Sequence, residues 1–312
     1  MVSATGKRQA GKRRKVGRWW RVAMGVSQTL DERNVVLIAA GVGFFSMLAI
    51  FPGIAALISI WGLVSDPALI EAQLELAQEI VPADAYLLIK TQLETLVNAQ
   101  TGTLGWTTAI STGLSFWWAR AGVASLIRGL NAVYREQHRG TIMRYLSSIM
   151  VTGFLVIVAL VMLVAIVVVP IVSAYLPLGR SAATVIEVTR WTIALVALMT
   201  AFGVVYRYGP NRRGAKAPWI SPGAVLAVAI WSAGSYAFSL YLANFGRYNE
   251  VYGSLGAVIA LLMWLYLSAF VTIMGAAVNA ELELRTLEDT TVGPDRPMGE
   301  RGAYVADTYV GN

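Results

Sequence analysis

The two longest stretches of the sequence without a charged residue restrict the fold more than any other feature. The first runs from Asn34 to Ser65 and the second from Tyr145 to Gly179. As a straight helix, the first stretch would measure about 48 Å, whereas the hydrocarbon core of a bilayer is about 30 Å thick. It is also longer than the apolar core of a cleaved signal peptide. It therefore predicts an uncleaved membrane span, with Pro52 as a place where the helix can bend.

The composition favours an integral membrane protein. Hydrophobic residues make up 56% of the chain and charged residues 14%, whereas soluble domains carry about 25% charged residues. Ten Trp and thirteen Tyr are typical of proteins with aromatic belts at two membrane interfaces. The absence of Cys excludes disulfides and thiolate metal sites, and a single His excludes a His-rich metal centre. We therefore expect no bound metal and no cofactor.

The sequence predicts an all-α integral membrane protein with six transmembrane helices. A basic tail over residues 1–33, which includes an interfacial segment, precedes a membrane domain over 34–280, and a mobile polar tail over 281–312 follows it. In the outer loop over 66–103, apolar residues recur at helical spacing, so we expect short amphipathic helices there. The six predicted spans cover, in order, about 35–65, 104–130, 146–176, 188–206, 219–245 and 252–280.

The placement of charge predicts the orientation in the membrane. Basic residues collect in the N-terminal tail, in residues 135–144, in the 207–216 loop and in the C-terminal tail, which lie on one side of a six-span protein. The acidic 66–103 loop falls on the other side. By the positive-inside rule, both termini are then cytoplasmic, and the chain is a multi-pass protein of the cytoplasmic (inner) membrane.

The N-terminal tail is strongly basic. Its basic runs and the aromatic pair that follows them are Lys7, Arg8, Lys12, Arg13, Arg14, Lys15, Trp19 and Trp20. Contact with anionic lipid headgroups is the favoured interpretation. The same residue types can engage the phosphates and bases of a nucleic acid, but this is the weaker alternative, and we expect no nucleic-acid partner.

The second predicted span carries the candidate substrate-binding residues Arg120, Arg128 and Asn131. At 100° per residue they share an arc of about 80° on one helix. Arg120 would lie about 24 Å along a helix that crosses about 30 Å of hydrocarbon. One interpretation is that this arc lines a cavity and binds an anionic substrate. The other is that Arg120 reaches the interface or backbone carbonyls, while Asn131 makes a hydrogen bond between packed helices.

Small and polar residues form a stripe on the last predicted span. The stripe and the glycines at the start of this span comprise Tyr252, Gly253, Gly256, Ser268, Thr272, Gly275 and Asn279. Such residues allow close contact with another helix or line a transport pathway, and both interpretations stay open. Residues of the same type on the fifth predicted span, which could form the opposite face, are Ser232, Ser235, Tyr236 and Ser239.

Two acidic residues, Glu281 and Glu283, end the last span. A carboxylate at a helix C-terminus opposes the helix dipole, so a buried one would need a basic partner. Arg128, Arg135 and Arg213 are the candidates for that partner. An exposed, solvated pair is the favoured interpretation.

Several short motifs recur together in one known family. They are Ala39–Ser46 leading to Phe51-Pro52, Leu130–Tyr134, Tyr208–Asn211, Pro222–Ala224, Tyr252–Ala257, Leu265–Leu267 and Gly275–Glu281. As a set, over about residues 30–285, they resemble the YihY / virulence factor BrkB family of bacterial inner-membrane proteins. The resemblance implies a six-span helical protein of the cytoplasmic membrane. Some members are associated with envelope biogenesis, lipid export or serum resistance, and a ribonuclease label is also attached to the family.

We therefore expect a transporter or exporter of an anionic or lipid-like substrate in envelope biogenesis. The alternative is a non-transporting membrane scaffold, and a homo-oligomer is compatible with either. A ribonuclease is the weakest hypothesis, because phosphodiester hydrolysis usually needs a carboxylate metal site or a His acid–base pair. The chain has one His, and six of its eighteen Asp and Glu residues lie in the predicted outer loop, away from cytoplasmic RNA. We expect no enzymatic activity.

Overall fold

A computed structural model describes residues 19–64, 101–137, 140–174, 179–212, 216, 218–243 and 254–311. Helices joined by connecting segments make up this part of the chain, which confirms the predicted all-helical class. The helices are α1 over residues 19–32, α2 (Val35–Val64), α3 (Thr101–Val133), α4 (Thr141–Leu163), α5 (Val169–Ala174), α6 (Arg180–Tyr208), α7 (Pro222–Ala243), α8 (Ser254–Glu283) and α9 (Tyr304–Asp307). A π-helical segment, Val164–Val168, joins α4 to α5.

Among the described residues, five helical segments are long and apolar enough to cross a membrane. They are Val35–Ala56, Thr141–Ile166, Ser181–Tyr208, Pro222–Tyr241 and Val258–Glu283. α3 covers the predicted second span but is not among the five, so a count of six spans is not confirmed. α3 contains Arg120, Arg128 and many Gly, Ser and Thr residues, which reduce its apolar character. The amphipathic helices predicted in the 66–103 loop lie outside the described residues, apart from the first residues of α3.

The helix boundaries differ from the predicted spans most at α6, which begins at Arg180 rather than near residue 188. The helical structure of α6 includes the charged Glu187 and Arg190, which pair along one helix face. The Glu187 carboxylate accepts hydrogen bonds from Arg190 at 2.7 Å and from the Trp191 ring N–H at 3.0 Å. Pairs at these spacings stabilise a helix locally.

Contacts divide the chain into two units, one formed by Met1–Gly43 with Val123–Asn312 and the other by Phe44–Gly122. In the first unit, the buried core lies where the ends of α3, α6 and α8 meet the start of α7. We call this region the helix junction. Its fully buried residues include Leu130, Tyr134, Ala224, Ile273, Ala276 and Ala277.

The second unit packs α2 against the first part of α3 through small residues. The Ser115 hydroxyl donates to the carbonyl oxygen of Ala49 at 2.9 Å. A Cβ atom added at Gly53 would lie 2.9 Å from that hydroxyl oxygen, and one added at Gly122 would lie 3.2 Å from Ser46 Oγ. Close approach of small residues is the usual way in which helices associate inside membranes.

The C-terminal segment differs from the predicted mobile tail. Val305 is only 1% exposed, and the Val310 N–H donates to the Leu284 carbonyl at 2.9 Å. The buried Arg301 guanidinium donates to backbone carbonyls, among them that of Ala306 at 2.9 Å. The Asp307 carboxylate accepts the N–H of Arg301 at 2.8 Å. These bonds give a polar segment a folded structure that its composition does not indicate.

The stability of this folded segment is expected to decrease in acid. The Thr291 hydroxyl and the backbone N–H of Arg296 donate to Asp289 and lower its pKa to about 2, whereas an unfolded Asp titrates near about 3.9. Because the pKa of Asp289 is lower in the folded segment than in the unfolded one, Asp289 stabilises the folded segment. This stabilisation is complete above about pH 4 and is lost as the pH falls towards 2. Cleavage of residues 284–311 by an acid protease should therefore accelerate between pH 4 and pH 2.

The matched variants for this prediction are Asp289→Asn and Asp295→Asn, since Asp295 is exposed in the same segment. Asp289→Asn should be cleaved faster at pH 5 and show a flatter acid response, whereas Asp295→Asn should behave as the unmodified chain. Equal cleavage of all three proteins at pH 5 and pH 2 would contradict the role of Asp289.

Candidate functional site

Two asparagines hold the backbone at the helix junction. Asn279 Oδ1 accepts the N–H of Gly223 at 2.7 Å, and Asn279 Nδ2 donates to Ser221 Oγ at 2.8 Å. The same Ser221 oxygen accepts the Ala224 N–H at 3.2 Å. The first N–H groups of a helix have no partner inside it, so Asn279 and Ser221 provide acceptors for the start of α7.

Asn131 holds the segment after α6 in a similar way. Its side chain is 3% exposed, and its Oδ1 accepts the backbone N–H of Asn211 at 2.7 Å. The Asn211 amide in turn donates to the Gln137 carbonyl at 2.9 Å. In this structure the polar group of Asn131 is used in tying α3 to the residues that follow α6.

The carboxylates at the end of α8 are buried and paired, so the favoured interpretation of an exposed pair is wrong. Glu281 is 5% exposed, pairs with Arg285 and accepts the Thr29 hydroxyl at 3.2 Å. Glu283 pairs with Arg212 at 2.5 Å and accepts the hydroxyl of Thr290. The predicted need for a basic partner holds, but the partners are Arg285 and Arg212 rather than Arg128, Arg135 or Arg213.

Arg212 joins this ion pair to a buried aromatic ring. Its guanidinium carbon lies 4.5 Å from the ring centroid of Tyr134, which is 2% exposed at the end of α3. Burial raises the pKa of the Tyr134 hydroxyl to about 12, although the Arg212 charge acts in the opposite direction. Tyr134 is therefore neutral at physiological pH and offers Arg212 a ring face and a hydroxyl rather than a negative charge.

A cavity of about 260 Å³, with charged and polar groups in its wall, opens beside this group. Its lining combines two cationic side chains, one carboxylate and several hydroxyl and amide groups: Arg212, Lys216, Glu283, Tyr134, Ser221, Asn279 and Thr290. Arg212 also lines a second cavity of about 900 Å³, together with Arg135, Glu136 and Asp307. Arg212 thus lines both cavities at the helix junction, which we call the small and the large junction cavities.

The predicted binding residues on α3 fall in different places. Arg128 is exposed and donates to Ala124 O and Ser125 Oγ, both at 3.3 Å on its own helix. Arg120 belongs to the Phe44–Gly122 unit, where its guanidinium lies 5.0 Å from the ring centroid of Trp117. In the small junction cavity, the described lining includes Asn279 but neither Arg128 nor Asn131.

The stripe on α8 packs against α6 and α7. The Trp231 ring N–H donates to Ser268 Oγ at 2.9 Å, and the Tyr206 hydroxyl donates to the Thr272 carbonyl at 2.8 Å. A Cβ atom added at Gly275 would overlap the Tyr206 hydroxyl. Gly256 is buried in α8, and Tyr252 and Gly253 lie outside the described residues.

Sequence reasoning did not single out Arg212, Tyr134 or Lys216. Arg212 and Lys216 entered only as loop charges that set orientation, and Tyr134 only as part of a family motif. The one available signal was the pair of carboxylates at the end of α8, which needs a basic partner once it is buried. Arg212 and Glu283 are 71 residues apart, so no local pattern connects them.

The chain matches the family model described as virulence factor BrkB over residues 26–299. It is 28% identical to the putative ribonuclease-like protein YfkH of Bacillus subtilis over 79% of this chain and 90% of that protein. It is 32% identical to a UPF0761 membrane protein of Idiomarina loihiensis over 30% of this chain and 32% of the relative. A UPF0761 membrane protein of Rhodospirillum centenum is 30% identical over 41% of this chain and 28% of its own length.

No solved structure matches the chain. The family match covers most of the sequence and agrees with the motifs and with the apolar helices of the described residues. The chain belongs to the virulence factor BrkB family, as a membrane protein in contact with the lipid bilayer.

Proposed function

We propose that the protein transports an anionic, lipid-like substrate across the cytoplasmic membrane, and that the small junction cavity contacts the anionic group. The observation that carries the proposal is the ion pair of Arg212 and Glu283 in the cavity wall. The two side chains are only 6% and 11% exposed. Charges buried in a cavity wall are costly to desolvate, and an anionic ligand can compete for the cationic member of such a pair.

The charges of the cavity favour an anion. Arg212 and Lys216 contribute two positive charges, whereas Glu283 contributes one negative charge. Asn279, Ser221 and Thr290 supply further polar groups at the wall. A phosphate or carboxylate can therefore pair with Lys216 while it competes with Glu283 for the fork of Arg212.

Exchange of partners at Arg212 gives the site two states. In the observed state Glu283 occupies the guanidinium. In the substrate-bound state, the anion takes this place and Glu283 keeps the Thr290 hydroxyl. Because the fork of one guanidinium serves one bidentate acceptor at a time, the two arrangements exclude each other, which is the property that a gate requires.

We further propose that both termini and the helix junction face the cytoplasm. Support comes from the basic residues at the junction ends of the helices, which include Arg135, Arg144, Arg207 and Arg212. The positive-inside rule assigns such an end to the cytoplasmic side.

Arg120 and Arg128 remain proposed substrate contacts. Arg128 is exposed at the side of α3, and Arg120 is a cation on a helix whose neighbouring Trp117 is 51% exposed. Residues in such positions can contact either a lipid headgroup or the substrate. The basic N-terminal tail is likewise proposed to bind anionic headgroups, and it lies mostly outside the described residues.

Reversal of charge at Lys216 tests the cavity with little risk to folding, because Lys216 is exposed. We expect Lys216→Gln to slow the flux of anionic lipids in proteoliposomes about fivefold, the effect of removing one favourable charge at a membrane surface. Lys216→Glu, which also adds a negative charge, should give a larger loss. Unchanged flux in a folded Lys216→Glu protein would show that the small junction cavity takes no part in transport.

The relative YfkH is named ribonuclease-like, and a nuclease is the second candidate for this chain. Among the described residues, no group of three or more His, Asp or Glu side chains is placed to hold a metal ion. Glu281 and Glu283, the carboxylates with the best position for such a role, are occupied by Arg285 and Arg212. These contacts favour transport over hydrolysis. If the folded protein shows neither flux of an anionic substrate nor turnover of RNA, the remaining hypothesis is a membrane scaffold.

A further inference from the structure

A third cavity among the described helices has an almost entirely apolar lining. It is a groove of about 440 Å³ between α4, the end of α6 and the segment before α7, within the usual size range of ligand sites. Its floor is formed by the buried Val151 and Val204, and its outer wall by the exposed, flexible side chains Met143 and Met150. Methionine adapts its shape to irregular apolar ligands.

The length of the groove equals the depth of one leaflet. Along α4 it runs from Met143 to Phe154, which is about 16 Å at 1.5 Å per residue. Half of a hydrocarbon core of about 30 Å is about 15 Å. The apolar stretch Thr141–Ile166 begins next to Met143, so the groove enters the bilayer from its surface at the junction end.

A cation lies at the mouth of the groove. Tyr208 and Trp219 line the mouth, and the Arg207 guanidinium carbon is 5.7 Å and 5.6 Å from their ring centroids. The Trp219 ring is seated on Gly203, where an added Cβ would lie 3.0 Å from Trp219 Cε3. Tyr and Trp at the end of a membrane segment are typical of the headgroup level.

A second basic residue borders the same face. Helix periodicity places Arg144 about 20° from Val151 around α4, and Arg144 is exposed. The groove is therefore apolar along its length and basic at its surface end.

We propose that this groove binds an anionic phospholipid of the leaflet at the junction end. One acyl chain fills the groove, and the phosphate group lies beside Arg207 at the mouth. Any phospholipid can supply the acyl chain, but only a headgroup with a net negative charge gains from a cation at that position. This lipid site is separate from the small junction cavity, so it does not depend on transport.

Native mass spectrometry of the purified full chain tests the site. The protein is incubated with equal amounts of phosphatidylglycerol and phosphatidylcholine of the same chain length, and the retained lipid is counted. We expect the unmodified chain to retain phosphatidylglycerol at least about fivefold more. Arg207→Gln should lose about this factor, whereas Ser147→Trp, which fills the groove, should lose bound lipid of both kinds.

Arg190→Gln is the matched control, because Arg190 is also on α6 and lies 5.6 Å from the ring centroid of Trp191. It should keep the preference for phosphatidylglycerol. Equal retention of the two lipids by the unmodified chain would overturn the proposal without any variant. An equal loss in Arg190→Gln and Arg207→Gln, or full retention in a folded Ser147→Trp protein, would overturn it as well.

Discussion

Replacement of Gly223 with alanine is expected to cause a large loss of stability. An added Cβ at Gly223 would overlap the carbonyl oxygen of Gly275 and lie 2.6 Å from Asn279 Oδ1. Both Gly275 O and the acceptor for the Gly223 N–H belong to α8, so relief requires α7 and α8 to move apart. Overpacking usually costs about 1–3 kcal/mol, and a backbone clash with a displaced hydrogen bond should reach the upper part of this range. We expect the midpoint of thermal unfolding in detergent to fall by about 3–5 °C.

Gly234→Ala is the matched control for this substitution. Gly234 is also in α7, and no atom lies within 4 Å of a Cβ added there. Alanine is favoured over glycine in a helix by about 1 kcal/mol at either position, so Gly234→Ala should be neutral or slightly stabilising. Similar midpoints for the two variants would show that α7 and α8 are not held as closely as described.

Removal of one partner of the Arg212–Glu283 pair is expected to have the other large effect. Either Glu283→Gln or Arg212→Gln leaves a buried charge without its partner, which typically costs about 3–5 kcal/mol. Arg212→Gln also removes the guanidinium from the face of Tyr134. The exposed pair Glu187–Arg190 supplies the comparison, since Glu187 is 55% exposed and surface pairs contribute about 0–1 kcal/mol. Unfolding in denaturant should show a much lower midpoint for Glu283→Gln than for Glu187→Gln.

The double variant Arg212→Leu with Glu283→Leu separates stability from function. Replacing both members of a buried pair by apolar side chains is often neutral for stability. The double variant should therefore recover most of the lost stability but show no recovery of anion flux. Recovery of both stability and flux would assign the pair a purely structural role.

The helices could be predicted from the sequence because the apolar composition of each helix is visible in its own residues. Each of the five apolar segments could be recognised from its own residues, whereas α3 was assigned as a span although its Gly, Ser, Thr and Arg content keeps it outside that group. The start of α6 was missed because charged residues end a hydropathy pattern. They do not end a helix in which Glu187 and Arg190 pair.

The site was less accessible, because its partners are distant in sequence. Asn279 could be identified as part of a polar stripe, but its acceptor role at Gly223 depends on the packing of two helices. The need of Glu283 for a basic partner followed from the helix dipole. Nothing in the sequence distinguished Arg212 from the other basic residues of the 207–216 loop. The C-terminal segment was predicted to be mobile from its composition, and single contacts such as Val310 with Leu284 give it structure.

Transport of an anionic lipid-like substrate is tested most directly by flux into and out of proteoliposomes that contain the unmodified chain. The substrates are a panel of fluorescent anionic phospholipids and small anions, with a zwitterionic phospholipid as the neutral comparison. We predict that at least one anionic member crosses faster than in protein-free vesicles, while the zwitterionic lipid does not. Identical rates with and without folded, inserted protein across the whole panel would contradict the account.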